Sequence, residues 1–296
     1  MTHSWRFGYG SNIGLTTLQQ KKNLNPKQYL VGTIQGWELY FNTGLNDYVE
    51  PGFAAIRPAD NDKSELHGSA FLIPHDEVEG LDRQEAGYDV RNVQFTSYDG
   101  EVVENVGLYV PKKPFVKGES KEGIPSFRYL KLLKDGAREG GLAPHWIQHL
   151  DSFDHYVTPK DVRAKTLQMI AEFNADGERK NNMWSSEQLA KYNGSDPNHP
   201  AHTSIMGYVI KIHPDIWVFG SWKGHDITRR NLLQYRGQSL DANDIRFDEP
   251  GCRPLPKLND CTDGEREYLM QSLESQLHRG SEIVGSYEPF LADQEL

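Results

Sequence analysis

The stretch Phe7-Gly8-Tyr9-Gly10-Ser11-Asn12-Ile13 decides how the first half of the sequence is interpreted. It continues an alternation in which the aromatic residues Trp5, Phe7 and Tyr9 are separated by single other residues. This period of two predicts a β-strand with one buried face. Gly10 tolerates a positive φ, so the strand can end in a sharp turn whose successive N–H groups form an anion-binding concavity. The alternative is a plain Gly-Ser-Asn turn between two elements.

Strand-like runs occupy most of residues 4–110. Further runs rich in β-branched and aromatic residues cover residues 29–34, 37–41, 53–56, 68–73, 90–96 and 102–110. A short helix is predicted over residues 74–85, because Val78 and Leu81 lie three positions apart in a polar segment. Many short strands with few long helices indicate a closed or nearly closed sheet.

A helical pattern replaces the strand pattern from Ser126, which is a favoured N-cap residue. The polar stretch 174–203 is rich in Asn, Asp, Gly and Pro, which is typical of a linker or long loop. Beyond it, residues 205–212 and 216–219 are strand-like. We therefore predict a first domain over residues 1–157, a helix and polar linker over 158–203, and a C-terminal α+β region of unassigned role over 204–296.

Three motifs in the first half carry a resemblance to a known family. They are, in order, Tyr9-Gly10-Ser11-Asn12, Leu81-Asp82-Arg83-Gln84-Glu85-Ala86-Gly87-Tyr88 and Pro125-Ser126-Phe127-Arg128-Tyr129. Together they resemble the γ-glutamylcyclotransferase family over residues 4–157. The family usually has Ala where Gly8 stands and Gly where Ala86 stands, and both exchanges are between small residues. The resemblance implies an α+β fold, a small mixed β-barrel with flanking helices, here followed by a C-terminal α+β extension.

The resemblance also implies an activity in glutathione metabolism, of the lyase or acyltransferase type. The α-amine of a γ-glutamyl compound attacks its own γ-carbonyl and releases 5-oxoproline, so neither a metal nor a cofactor is expected. An α-amine with a pKa of about 8 is mostly protonated at neutral pH, so a carboxylate has to take its proton and later give one to the leaving amine. The family match assigns this general acid/base role to Glu85. The substrate is a γ-glutamyl amino acid, a γ-glutamylamine or a glutathione-derived adduct.

The same resemblance implies a set of substrate-binding residues. They are Arg6, Phe7, Gly8, Tyr9, Gly10, Ser11, Asn12, Tyr88 and Tyr129. The backbone from Arg6 to Ser11 is expected to cradle the α-carboxylate and the α-amine, and the hydroxyl of Tyr129 can hydrogen-bond the ligand. For both Tyr88 and Tyr129 the alternative is core packing. For the whole chain the alternative function is a non-catalytic member of the same fold that binds a ligand or a partner.

Composition limits the partners. The formal net charge of −10 over 296 residues disfavours nucleic acid and anionic membrane surfaces as partners. The sequence has no secretory signal pattern, and its only cysteines are Cys252 and Cys261, so we expect a cytoplasmic protein with reduced thiols. His145 and His149 have an i, i+4 spacing but lack the Glu of a zinc motif, which favours surface histidines. A homodimer remains an open alternative.

Overall fold

The computed structural model describes residues 3–46, 48–85, 87–112, 122–216, 222–236 and 257–295. The chain divides into two compact units, Met1–Tyr156 and Val157–Leu296. Ala86, Cys252 and residues 217–219 of a predicted strand lie outside the described residues. No helix in the ranges described here is long and apolar enough to cross a membrane.

The first unit is built on a closed barrel of five strands. Its elements are β1 His3–Gly8, α1 Leu15–Lys22, β2 Gln28–Gln35, β3 Trp37–Asn46, β4 Glu50–Pro58, β5 Glu65–Pro74, α2 His75–Gln84, β6 Tyr88–Ser97, β7 Val102–Pro111, α3 Phe127–Gly140 and α4 Pro144–Asp151. The barrel order is β1-β5-β2-β6-β7, and it closes where β1 pairs with β7 in parallel. The other neighbouring pairs are antiparallel. The predicted α+β class with a small mixed barrel is confirmed.

The barrel core is filled by the inward-facing residues of its strands. Phe7, Phe95 and Leu108 are almost fully buried in one apolar cluster, and the rings of Phe7 and Phe95 lie 5.9 Å apart. Burying side chains of this size contributes about 1.5–3 kcal/mol each. The period of two in β1 predicts a strand with one buried face, and Phe7 does face the core.

Two of the predicted strands do not join the barrel. Strands β3 and β4 pair with each other as a separate antiparallel ribbon. The chain leaves the barrel at Gly36, which has φ +77° and lies between β2 and β3. Its N–H donates to the carbonyl of Ser64, and its own carbonyl accepts from the N–H of Ala59, so this turn is tied to the segment between β4 and β5.

The second unit consists of a sheet and several helices. Its elements are α5 Lys160–Ala175, α6 Gly177–Lys180, β8 Met183–Trp184, α7 Ser186–Ala190, β9 His202–Ile205, β10 Tyr208–Lys211, α8 Thr228–Tyr235, a 3₁₀ turn Leu258–Asp260, α9 Asp263–Leu277, β11 Glu282–Tyr287 and α10 Glu288–Glu295. The sheet order is β8-β11-β10-β9. Phe173 of α5, Leu273 of α9 and Ile283 of β11 belong to one buried cluster, which forms the core of this unit.

Residues 158–203, for which the sequence predicts a helix and a polar linker, form several elements. These residues belong to the second unit. Helix α5 contributes Phe173 to the core of that unit, and β8 pairs in parallel with β11. The polar composition of residues 174–203 arises from short capped helices and turns: Asp176 caps α6 and Ser185 forms a capping box for α7.

Candidate active site

The turn after β1 is the first part of the site. Gly8 ends the strand, and a Cβ added there would lie 2.3 Å from the backbone oxygen of Asn12, so a side chain at this position would force the turn to shift. The N–H of Ile13 donates to the carbonyl of Gly10 over 3.1 Å and closes the turn. The carbonyl of Ile13 in turn accepts from the hydroxyls of Tyr29 and Ser69. The turn is thus fastened to β2 and β5.

Helix α2 brings Glu85 to this turn. Val78 and Leu81 bury the apolar side of α2, and the N–H of Glu85 donates to the carbonyl of Leu81 over 3.0 Å. Glu85 therefore sits at the C-terminal end of the helix with a defined backbone position. Its Oε1 accepts from Nδ2 of Asn12 over 3.2 Å. The candidate acid/base residue and the Gly-Ser-Asn turn are in direct contact.

The carboxylate of Glu85 also has a cationic neighbour. Nζ of Lys22, the last residue of α1, lies 3.2 Å from the same Oε1. The two side chains are 18% and 17% exposed, so water screens this ion pair only partly.

Neutral tyrosines surround the carboxylate. Burial raises the pKa of Tyr9 and of Tyr129 well above the usual value. Burial, with the nearby Glu85 adding to it, raises the pKa of Tyr88 to about 12. All three are therefore uncharged hydrogen-bonding groups near neutral pH.

The hydroxyls of these tyrosines differ in how they are used. Tyr9 donates to the backbone carbonyl of Tyr109 over 2.8 Å. The oxygen of Tyr129 accepts from the N–H of Ala54 over 3.2 Å. Within the part of the chain that the structure describes, the hydroxyl proton of Tyr129 has no acceptor, so Tyr129 can donate to a ligand.

One pocket collects these groups, with a volume of about 340 Å³ including its open side. Its lining comprises Phe7, Gly8, Tyr9, Gly10, Ser11, Asn12, Ala54, Glu85, Tyr88, Tyr109 and Tyr129. Among the described residues of this lining, Glu85 is the one that is charged, so the pocket suits a ligand with a positive group. Among the described residues no group of three or more His, Cys, Asp and Glu could hold a metal ion.

Arg6 does not join the other predicted site residues in the lining. Its guanidinium instead contacts Asp82 of α2, with Nη2 3.1 Å from Oδ2, and Nε lies 3.3 Å from the hydroxyl of Tyr109. Tyr109 donates to Oδ1 of Asp82 over 2.5 Å. The side chain of Arg6 therefore ties β1 to α2 and β7 beside the pocket.

Two lining residues were missed from the sequence. Ala54 belongs to β4 and Tyr109 to β7, and neither lies in one of the three motifs that carry the family resemblance. Tyr109 comes to the pocket because β7 pairs with β1 at the closure of the barrel, where Phe7 stands opposite Leu108. Only a long-range strand pairing could have indicated it.

The sequence is similar to known proteins of one kind. No family model matches the chain. The γ-glutamyl cyclotransferase aclK of Aspergillus oryzae is 25% identical over 162 residues, 49% of this chain and 59% of that protein. The γ-glutamyl cyclotransferase gliK of Aspergillus fumigatus is 25% identical over 190 residues, 54% of this chain and 66% of that protein. The chain thus spans somewhat less than two thirds of the length of these relatives.

Solved structures of similar proteins cover about half of the chain. A structure named γ-glutamyl cyclotransferase is 19% identical, with a TM-score of 0.45, over 55% of this chain and 98% of its own. A structure of an uncharacterised protein from Homo sapiens is 24% identical, also with a TM-score of 0.45, over 54% of this chain and 94% of its own.

The resemblance to this family rests on the sequence similarity to the two fungal proteins. Both carry the same name, and the predicted barrel that this family implies is the fold observed. The chain is similar in sequence to γ-glutamyl cyclotransferases over about half of its length.

Proposed function

We propose that the chain is a γ-glutamyl cyclotransferase that releases 5-oxoproline from a small γ-glutamyl compound, with Glu85 as general acid and base. The observation that carries the proposal is the contact of Glu85 with Asn12 of the turn, inside one small pocket. A carboxylate that touches the proposed binding turn is where such a reaction needs its proton acceptor.

The proposed binding mode uses the turn and the tyrosines. The backbone of the turn from Gly8 to Ser11 holds the amino-acid end of the glutamyl group. Tyr129 donates its free hydroxyl proton to the ligand, and Tyr88 lines the same pocket. Folding the glutamyl chain so that its α-nitrogen meets its γ-carbonyl can supply on the order of 7–11 kcal/mol of the barrier through orientation alone.

The proton steps balance without a co-reactant. Glu85 accepts one proton from the α-ammonium, and the neutral α-nitrogen attacks the γ-carbonyl carbon. A carbon–nitrogen bond forms within the glutamyl group, and the bond to the leaving nitrogen breaks. Glu85 returns this proton to the leaving nitrogen. The attacking nitrogen still carries two hydrogens after the bond has formed, and it loses the second proton through Glu85 to the leaving amine. The products are therefore 5-oxoproline, with one hydrogen on its ring nitrogen, and a protonated amine. General acid–base catalysis of this kind contributes about 10²–10⁴-fold.

The proposed substrate class follows from the names of the relatives and from the pocket. Both fungal relatives are named γ-glutamyl cyclotransferases. The candidates are a γ-glutamyl amino acid, a γ-glutamylamine and a glutathione adduct. They share the glutamyl group that the pocket would hold and differ in the amine that departs through its open side. A panel of the three kinds is therefore the right probe.

The test is 5-oxoproline release from this panel by the full chain and by Glu85→Gln. We expect turnover of at least one panel member, and a loss of about 10²–10⁴-fold in kcat for Glu85→Gln. Glu79→Gln, which changes an exposed residue of the same helix, is the matched control and should keep full activity.

Two outcomes would contradict the proposal. Undiminished turnover by Glu85→Gln would remove Glu85 from the reaction. An unmodified chain that turns over no panel member, yet binds a γ-glutamyl ligand in calorimetry, would instead support the non-catalytic binding protein that the sequence left as the alternative.

A further inference from the structure

The two oxygens of Glu85 have unequal surroundings. Oε1 accepts from Nδ2 of Asn12 and from Nζ of Lys22, each over 3.2 Å. Oε2 accepts no hydrogen bond from any residue within the described ranges. One oxygen is therefore fixed from two directions, while the other remains available to a ligand.

The fold brings Lys22 to Glu85 by packing two helices against each other. Leu18 of α1 and the following Leu24 lie in one buried cluster with Val78 and Leu81 of α2. The N–H of Leu24 donates to the carbonyl of Leu18 over 3.0 Å, which fixes the end of α1. The C-terminal ends of α1 and α2 therefore meet: Lys22 is the last residue of α1, and Glu85 is the C-cap residue that follows α2.

Asn12 supplies an independent observation. It is 8% exposed, and its Oδ1 is buried without a hydrogen-bond partner in the described structure. An unsatisfied buried acceptor is costly, so such an atom in a pocket calls for a ligand that donates a hydrogen bond. Oδ1 of Asn12 and Oε2 of Glu85 are two open acceptors on neighbouring side chains. An ammonium group, with three N–H donors, is the chemical match for that pair.

We infer that Lys22 is a positioning residue: with Asn12 it holds Oε1 of Glu85, and this leaves Oε2 as the atom that exchanges the proton with the substrate. The inference rests on the proposed function and assigns different roles to the two carboxylate oxygens: Oε1 is held in place, and Oε2 exchanges the proton. Lys22 itself is not among the pocket-lining residues, so it acts through Glu85. The α-ammonium of the substrate is bound by Oε2 of Glu85 and Oδ1 of Asn12.

A set of three variants of the full chain tests the inference. Lys22→Met keeps most of the side-chain stem and removes the charge, while Lys22→Arg keeps a cation that can reach Oε1. Lys27→Met, at an exposed position just beyond α1, is the matched control. The readouts are kcat and KM for the γ-glutamyl panel member that the unmodified chain converts fastest, together with the melting temperature of each variant.

A positioning role gives a distinct pattern. Because misplacing a reacting group by about 1 Å can cost about 100-fold, we expect kcat of Lys22→Met to fall by about 10- to 100-fold. Its KM should stay within about twofold, since Lys22 does not touch the substrate. Lys22→Arg should recover most of kcat, and Lys27→Met should match the unmodified chain.

The contrary results separate this inference from the proposed function. If Lys22→Met keeps its kcat while Glu85→Gln loses activity, the positioning role is wrong and the proposed function stands. A raised KM with unchanged kcat would make Lys22 a substrate-binding residue and overturn the inference. Equal losses in Lys22→Met and Lys22→Arg with lowered melting temperatures would reduce Lys22 to a structural ion pair. An unmodified chain without turnover would remove both proposals together.

Discussion

Acidification is expected to destabilise this protein through one buried histidine, His67 of β5. Its side chain is 4% exposed. Its Nδ1 lies 2.7 Å from the hydroxyl of Tyr98 and its Nε2 lies 3.2 Å from Nε2 of His145. Its ring stacks on Trp146 at 4.9 Å. Burial, with His145 and His149 adding to it, lowers the pKa of His67 from 6.5 to about 4. The folded protein therefore keeps this imidazole neutral where the unfolded chain would protonate it.

The direction and size of the effect follow from the two pKa values. Since the unfolded chain takes up a proton at higher pH than the folded one, stability is unaffected above pH 6.5 and is lost as the pH falls from 6.5 towards 4. Between pH 8 and about pH 5, protonation of His67 raises the unfolding equilibrium constant by a factor of about 30, which lowers the free energy of unfolding by about 2 kcal/mol. For a domain of ordinary stability that is a large share of the free energy of unfolding.

The assay compares urea unfolding of the full chain at pH 8 and pH 5 with that of His67→Gln. The variant is expected to be less stable at pH 8, but its loss between the two pH values should be smaller by about 2 kcal/mol. His75→Gln, which replaces an exposed histidine at the start of α2, should show the same pH dependence as the unmodified chain. Histidine ring NMR provides the direct measurement of the pKa.

Equal pH dependence in His67→Gln and the unmodified chain would refute this reasoning. A ring signal of His67 that titrates near 6.5 would do the same, because it would mean that burial does not lower the pKa.

Two further predictions concern the turn and the second unit. Gly8→Ala would place a Cβ 2.3 Å from the backbone oxygen of Asn12, so the turn would have to shift. We therefore expect the rate of 5-oxoproline release to fall by more than about tenfold. Activity within twofold of the unmodified chain would show that the turn does not position the substrate. Arg163→Met would leave the carboxylate of Glu274, which is 0% exposed, buried without its cation. We expect urea unfolding to show a loss of about 3–5 kcal/mol, and a loss below about 1 kcal/mol would contradict the burial of that carboxylate.

The sequence predicts the elements of the first unit well and their partners poorly. The helix expected over residues 74–85 is His75–Gln84, and Ser126 caps α3 by accepting from the N–H of Tyr129. These features depend on residues a few positions apart, which a local pattern records. That β3 and β4 leave the barrel depends instead on the φ of Gly36 and on contacts of Gly36 with Ser64 and Ala59. Strand periodicity alone does not distinguish a barrel strand from a ribbon strand.

The candidate site also contains some features that depend on local sequence and others that depend on tertiary contacts. The Gly-Ser-Asn turn and Glu85 lie in local motifs, so the sequence could name them, and the structure brings them to 3.2 Å. The placements of Arg6, Tyr109 and Lys22 depend on tertiary pairing. The family resemblance implies that the backbone of Arg6 lies at the ligand, while the side chain of Arg6 contacts Asp82. The sequence does not indicate a role for Lys22, because the residues at the end of a helix do not show which carboxylate a lysine there will contact.

The spacing within Leu81-Asp82-Arg83-Gln84-Glu85 now has a physical reason. Leu81 is 1% exposed and holds α2 against the buried cluster. Asp82 is fixed by Arg6 of β1 and by Tyr109 of β7, two strands that pair where the barrel closes. Glu85 lies about one helical turn further along, so its position is fixed by the contacts of Leu81 and of Asp82. Because the position of Glu85 depends on the strands that close the barrel, we expect loosening of that closure to displace the Glu85 carboxylate and so to impair the proposed proton transfer.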